Sequence, residues 1–195
     1  MASLHRCSVS RSCSALLLLA IVGLSSLGCQ SDRSGSNAYD RTRPDDMKQM
    51  PAATSDGEFA SMMAVHHESA IEMGRYQAQN GSRAEVRAIA SSIVDAQSAE
   101  NVKLRAIARE TGHGNMRADA MMRENAGADM TALRSAGGAE LDRVFLTRMI
   151  DHHTVGVEMT RKAMPNLRRD DTRRMAKTMI DDQTREIAQM RAMAN

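Results

Sequence analysis

Residues 59–73 read FASMMAVHHESAIEM, and residues 145–159 read FLTRMIDHHTVGVEM. The two stretches align without a gap. Phe59 matches Phe145, Met63 matches Met149, His66 and His67 match His152 and His153, and Glu72 and Met73 match Glu158 and Met159, each pair 86 residues apart. The same offset carries Ala90 onto Ala176, Asp95 onto Asp181, Gln97 onto Gln183 and Glu100 onto Glu186. A fixed offset held over about fifty residues is the signature of a duplicated structural unit.

At about 100° per residue, Phe59, Met62, Met63, His66, His67, Ala70 and Met73 share one broad helical stripe, with Glu72 opposite. Phe145, Met149, His152, His153, Gly156 and Met159 repeat the stripe, and Glu158 points away. The histidines therefore lie on the face that must be buried. A second stripe, Val86, Ile89, Ala90, Ile93, Gln97, Glu100 and Leu104, recurs as Met175, Ala176, Met179, Gln183, Glu186, Met190 and Met193. Gln97 and Glu100 interrupt an apolar face, as do Gln183 and Glu186. A buried carboxylate needs a partner or an ion, because leaving it alone costs several kcal/mol. The imidazoles of the facing helices are the natural partners.

Helix boundaries follow from local signals. Ser55-x-x-Glu58 is a capping-box pattern that starts the first helix, and Asn80-Gly81 stops it. Ser82-x-x-Glu85 caps the second, which runs to about Glu110. The segment Thr111-Gly112-His113-Gly114 breaks the pattern, and residues 115–137 suggest two short helices, the second capped by Asp129. Gly137-Gly138 precede a third long helix that ends before Pro165, and Asp170 or Asp171 caps the fourth. The expected fold is all-α: a four-helix bundle of two repeated hairpins, with short helices in the central connection. His113, Met116, Met121, Met122 and Met130 in that connection read either as a second soft-metal site or as packing over the end of the bundle.

Ahead of the bundle, residues 1–28 read as an export signal. His5, Arg6 and Arg11 give a basic start, and Ala15 to Leu27 is an uncharged apolar run, short for a membrane span. The sequence Leu24-Ser25-Ser26-Leu27-Gly28-Cys29 resembles a bacterial lipoprotein signal, in which Cys29 is lipidated and anchors the chain to the envelope. Residues 29–54, rich in Ser, Asp, Arg and Asn, read as a disordered tether, and residues 55–195 as the bundle. The whole chain has a formal charge of +2. Arg6 and Arg11 account for that excess, so the remainder is neutral and does not point to nucleic acid. Cys7, Cys13 and Cys29 all precede the bundle. Any ion held within the bundle must therefore use imidazole, thioether or carboxylate.

The repeated Phe-x-x-x-Met-x-x-His-His phrase, followed each time by a Gln-x-x-Glu helix, resembles the family called domain of unknown function 305. The resemblance covers roughly residues 57–195 and implies a ferritin-like four-helix bundle of exported bacterial proteins, some of them periplasmic copper binders. It implies His66, His67, His152, His153 and nearby methionines as ligands. Leu104 stands where the family has Met, whereas Met190 keeps the pattern.

Imidazole and thioether without thiolate suit copper, Cu(I) above all, with other transition metals as alternatives. Met63, His66 and His67 span i, i+3 and i+4, which brings them to one face. The expected ligand set is His66, His67, His152, His153, Met63, Met73, Met149, Met159, Glu100 and Glu186, with Gln97 and Gln183 orienting the imidazoles. Two other readings compete. One is a metal-free His/Glu network that fixes helix register, with the methionines as core filler. The other is a ferritin-like di-iron or di-manganese oxidase, which needs Glu-x-x-His motifs. Lys103 follows Glu100 at i+3 and Gln189 follows Glu186, so that carboxylate set is short. The bundle also lacks a Cys nucleophile, a Gly-rich phosphate loop, a Ser-His-Asp signature and a His-Glu-x-x-His motif, so no enzymatic role is expected.

Overall fold

The structure is a computed structural model that describes residues 52–111 and 116–194. The expected signal peptide, lipidation at Cys29, most of the tether and His113 lie outside the described residues. Five helices follow in order: α1 (Asp56–Asn80), α2 (Ala84–Thr111), α3 (Met116–Arg134), α4 (Ala139–Ala163) and α5 (Asp170–Ala194), with a 3-10 turn at Met164–Asn166 between the last two. The chain is all-α, and the five helices pack as a bundle. α1 pairs with α2 and α4 with α5, the two hairpins meet mainly through α1 and α4, and α3 lies across α1 and α4.

The connection holds one continuous helix of 19 residues, not two short ones. Asp129, expected as a cap, lies inside α3, 1% exposed, with Arg148 of α4 at 3.8 Å. Salt bridges tie α3 to the first hairpin: Arg123 to Glu68 and Arg134 to Glu72. Met122 and Met130 pack into apolar clusters, which favours packing over metal capture for these two.

Local caps explain only part of the helix ends. Ser55 Oγ does accept from Glu58 N at 3.2 Å, but the Glu58 carboxylate returns to Thr54, accepting from its N at 2.8 Å and its hydroxyl at 2.7 Å. The α2 start is capped from the other hairpin. Asp142 of α4 accepts from Ser82 N at 3.0 Å, Arg83 N at 2.8 Å and Gln77 Nε2 at 2.5 Å. The α5 start repeats this: Asp56 of α1 accepts from Arg168 N at 3.0 Å and Arg169 N at 3.2 Å. Asp56 and Asp142 are 86 residues apart, as are the donor pairs. Both carboxylates are buried and sit at the positive end of a helix, where anions are stabilised. The expected Ser82 cap thus gives way to Asp142. Asp171 accepts from Thr172 N at 2.8 Å but shares the α5 start with Asp56.

Gly138 starts α4 at φ 60°, ψ −137°, a conformation L side chains avoid. Gly81 has an ordinary φ of −66°. It is small because a Cβ would strike Gln77 Nε2 at 2.2 Å, the same amide that reaches Asp142.

The core has two parts. One cluster holds Phe59, Met63, Leu104, Met159 and Met179; the other holds Met73, Ile93, Phe145, Met149 and Met190. Read along each long hairpin helix, the switch from one cluster to the other falls at His66 and His67, at Gln97 and Glu100, at His152 and His153, and at Gln183 and Glu186. A polar layer divides the bundle across its middle.

Candidate metal centre

Each hairpin brings one imidazole to one carboxylate through this layer. His67 Nε2 lies 2.8 Å from Glu100 Oε2, and His153 Nε2 lies 2.8 Å from Glu186 Oε2. Both imidazoles are fully buried, while the glutamates keep 19% and 18% of their side-chain surface exposed. An ion coming from solvent therefore meets carboxylate before it meets imidazole. α2 and α5 make few contacts, and between them opens a cleft of about 310 Å³. Its lining includes Glu100 and Glu186 together with Gln97, Gln183 and Met179, so both pairs face the same opening.

The first pair has a proton ledger that a neutral ring facing an ionised carboxylate cannot close. His67 Nδ1 donates to the Met63 carbonyl at 2.7 Å, the usual way a helix orients a ligand histidine. In the neutral ring Nε2 is then an acceptor, facing a carboxylate oxygen that only accepts. Two acceptors 2.8 Å apart need a cation, either a proton or a metal ion. In the second pair His153 Nδ1 is buried and has no hydrogen-bond partner among the described residues, so only Nε2 fixes that ring.

The other two histidines meet across the hairpin interface. His66 and His152 stack with centroids 3.8 Å apart and planes 11° from parallel. His152 Nε2 lies 2.6 Å from Ser69 Oγ. Gly156 permits close approach from the other side: a Cβ there would sit 2.6 Å from Gln183 Oε1 and 2.8 Å from His66 Nε2. The buried Gln97 amide has no partner at either Nε2 or Oε1 among the described residues, and Gln183 Oε1 has none either. Buried amides left in this state are unusual and mark a place where a further ligand or water belongs.

The structure thus brings together two of the four histidines with both expected carboxylates, and stacks the other two on each other. Among the described residues no group of three or more His, Cys, Asp or Glu is arranged to hold an ion. Met63, Met73, Met149 and Met159 are buried in the apolar clusters on either side of the layer, and Met63 contributes its carbonyl, not its sulfur, to the hydrogen bonds. Glu72 and Glu158 point outward as their phase requires. Sequence reasoning missed Ser69 and the Asp56/Asp142 caps. The caps carried a signal, since both aspartates stand three residues before the repeated phenylalanine.

These features define a helical-bundle protein with paired imidazole–carboxylate sites across its middle. The chain belongs to the family described as Domain of unknown function (DUF305), matched over residues 27–108 and 56–194. Solved structures share the fold. A putative secreted DUF305 protein from Streptomyces coelicolor is 24% identical, with TM-score 0.62, over 71% of this chain and 91% of that one. CopM in its Cu(II)-bound form is 25% identical, with TM-score 0.60, over 74% of this chain and 97% of that one. CopM in its Cu(I)-bound form is 26% identical, with TM-score 0.59, over 71% and 94%. CopM has also been solved with silver. No curated protein matches. None of the described helices is long and apolar enough to cross a membrane.

Proposed function

We propose that this protein is an exported, envelope-anchored metal binder, built by duplication of one hairpin, that holds copper for storage or handover. The observation that carries the reading is the buried imidazole facing a partly exposed carboxylate, His67 on Glu100, repeated as His153 on Glu186. The nitrogen and oxygen of each pair stand at hydrogen-bond distance, 2.8 Å, and a parting of about half an ångström would admit one ion between them. The mechanism is coordination without turnover. Glu100 and Glu186 receive the ion in the cleft, His67 and His153 complete its capture, and Gln97 and Gln183 supply amide oxygens or orient the rings. Imidazole and carboxylate accept Cu(II). CopM, which shares the fold, binding Cu(I), Cu(II) and silver supports copper over harder metals. A lipid on Cys29 would keep the bundle at the membrane surface.

A metal-free reading is favoured by one observation: the His66–His152 stack and the Ser69 bond already fix helix register without an ion. Elemental analysis of protein purified from copper-supplemented cells, followed by a Cu(I) competition titration, separates the two. The metal reading expects copper in the wild type and none in a variant carrying His67→Ala and His153→Ala. Copper retained at full affinity in that variant sinks the assigned ligands; a wild type without copper leaves only the structural network.

A further inference from the structure

The charge of the bundle is not spread evenly over its two ends. Residues 161–177, which close α4, turn and open α5, read RKAMPNLRRDDTRRMAK, seven cations against two acids in a chain of formal charge +2. The loops at the opposite end, residues 80–88 and 135–143, hold three cations and three acids. The acids near the α4–α5 turn are already engaged. Asp170 pairs with Arg173, Glu110 and Asp171 pair with Arg169, and the buried Asp56 accepts from the Arg168 and Arg169 amides. Glu58 is turned to Thr54. The side chains of Arg161, Arg168, Arg174 and Lys177 are exposed and form no ion pair among the described residues. The N-terminal segment enters the bundle at this same end: Asn166 Nδ2 donates to the Ala53 carbonyl at 2.8 Å, and α1 starts at Asp56.

We propose that the α4–α5 turn is the face the bundle lays on a membrane of anionic phospholipid, with Arg161, Arg168, Arg174 and Lys177 meeting the lipid phosphates. This deepens the envelope-anchored reading above, on which it rests, by saying which end faces the bilayer. An acyl chain on Cys29 holds the bundle near the membrane but does not orient it. The chain from Cys29 to Ala53 can span up to about 80 Å, against about 37 Å for the whole of α1. Charge supplies the orientation, and a polybasic patch beside a lipid chain is an effective second membrane signal. A basic residue close to an anionic surface gains about fivefold in partitioning, and the gain fades within about 10 Å. Only the cation-rich end offers several unpaired cations to one plane. In that pose the polar layer stands clear of the lipid. His67 lies eleven residues into α1, about 16 Å from its start, so an ion reaches the cleft between α2 and α5 from the side.

The test is sedimentation of the full chain with vesicles of phosphatidylcholine alone or mixed with phosphatidylglycerol. The variant carries Arg161→Gln, Arg168→Gln, Arg174→Gln and Lys177→Gln; residues 1–29 are the same in both chains, so their contribution cancels. On mixed vesicles the wild type should partition at least about 25-fold more strongly than the variant, the effect of two fivefold contacts made at once. On phosphatidylcholine alone the two should be equal. The four side chains are exposed, so the thermal melts should coincide. Arg75→Gln with Arg191→Gln, two exposed sites outside the patch, is the charge control and should stay within about twofold of the wild type. Equal partitioning of wild type and variant on mixed vesicles, or an equal loss per charge removed in the control, overturns the proposal. So does a short DNA duplex bound as strongly as the vesicles through the same four residues, which makes the surface a general polyanion patch. Release from mixed vesicles by millimolar inorganic phosphate at fixed ionic strength overturns it too, since the patch is then a phosphate pocket. Failure of the anchoring reading shows separately, as a Cys29 without acyl chains in the mass spectrum of protein taken from cells.

Discussion

Replacing Asp142 by Ala should be among the most damaging single changes in the bundle, although Asp142 touches no metal ligand. The carboxylate is 1% exposed and accepts three hydrogen bonds, two from the first backbone amides of the α2 start and one from Gln77. A hydrogen bond to a charged group contributes about 1.5–3 kcal/mol net. Water can replace the protein at the two half-buried amides but not at the Gln77 amide, whose residue is fully buried. Allowing for that replacement, the expected loss is about 3 kcal/mol, within the range of a lost cap plus one orphaned buried donor. For a bundle of this size each kcal/mol moves the midpoint by about 2–4 °C, so Tm should fall by about 6–12 °C. Urea unfolding followed by circular dichroism measures the loss. Asp95→Ala, on the exposed face of α2, is the control and should stay within about 0.5 kcal/mol. If Asp142→Ala costs under about 1 kcal/mol, the cross-hairpin cap contributes no more than a surface residue, and the account of how α2 begins is wrong.

Asp56→Ala should cost less, about 2 kcal/mol, since Asp56 holds two backbone amides and no buried side chain. The two losses should add in the double variant because the caps lie at opposite ends of α1, about 37 Å long. Gly156→Ala sets two effects against each other: about 1 kcal/mol gained in helix propensity and about 1–3 kcal/mol lost to contacts at 2.6 and 2.8 Å. Stability should therefore change little while Cu(I) affinity at the second pair falls, and calorimetry beside a competition titration reads both. Copper held at about a hundredfold above its Kd should stabilise the protein by about 2.7 kcal/mol, a rise of about 5–11 °C, read by a thermal melt with and without chelator. Hydrogen bonds from Arg143 and Arg169 hold the Glu140 and Asp171 carboxyls below their ordinary values of 4.5 and 3.8. A carboxyl lowered by folding stabilises above its unfolded value and loses that contribution as pH falls through the folded one. The melt should therefore decline below about pH 4, with these exposed pairs weakening further in high salt.

The sequence made most of the scaffold legible because the chain punctuates itself. Gly81, Gly137, Gly138 and Pro165 mark breaks that no helix can cross comfortably, and the 3.6-residue period put His67 and Glu100 on facing stripes before any coordinates. What escaped involved partners distant in sequence. A capping box is a local pattern, so Ser82 looked sufficient; the donor groups in fact turn to Asp142, 60 residues on. Asp129 suggested the start of a second short helix in the connection, but docking on α1 and α4 carries α3 through it. Phase alone could not separate a thioether that faces an ion from one that fills a core, and Met63 and Met149 turn out fully buried among apolar neighbours. Nor could periodicity tell that His66 and His152 would stack while their neighbours went to carboxylates, because that choice depends on how closely α1 and α4 approach at Gly156.

The crossed aspartates also bear on the order of events as the chain is made. The amides of Ser82 and Arg83 leave the ribosome well before Asp142 exists, and Asp56 waits 112 residues for Arg168. The second helix of each hairpin draws its start from the other hairpin, so the α2 start, once synthesised, lacks its Asp142 cap until the second half arrives. The two halves therefore complete each other's helix starts only once both have been made.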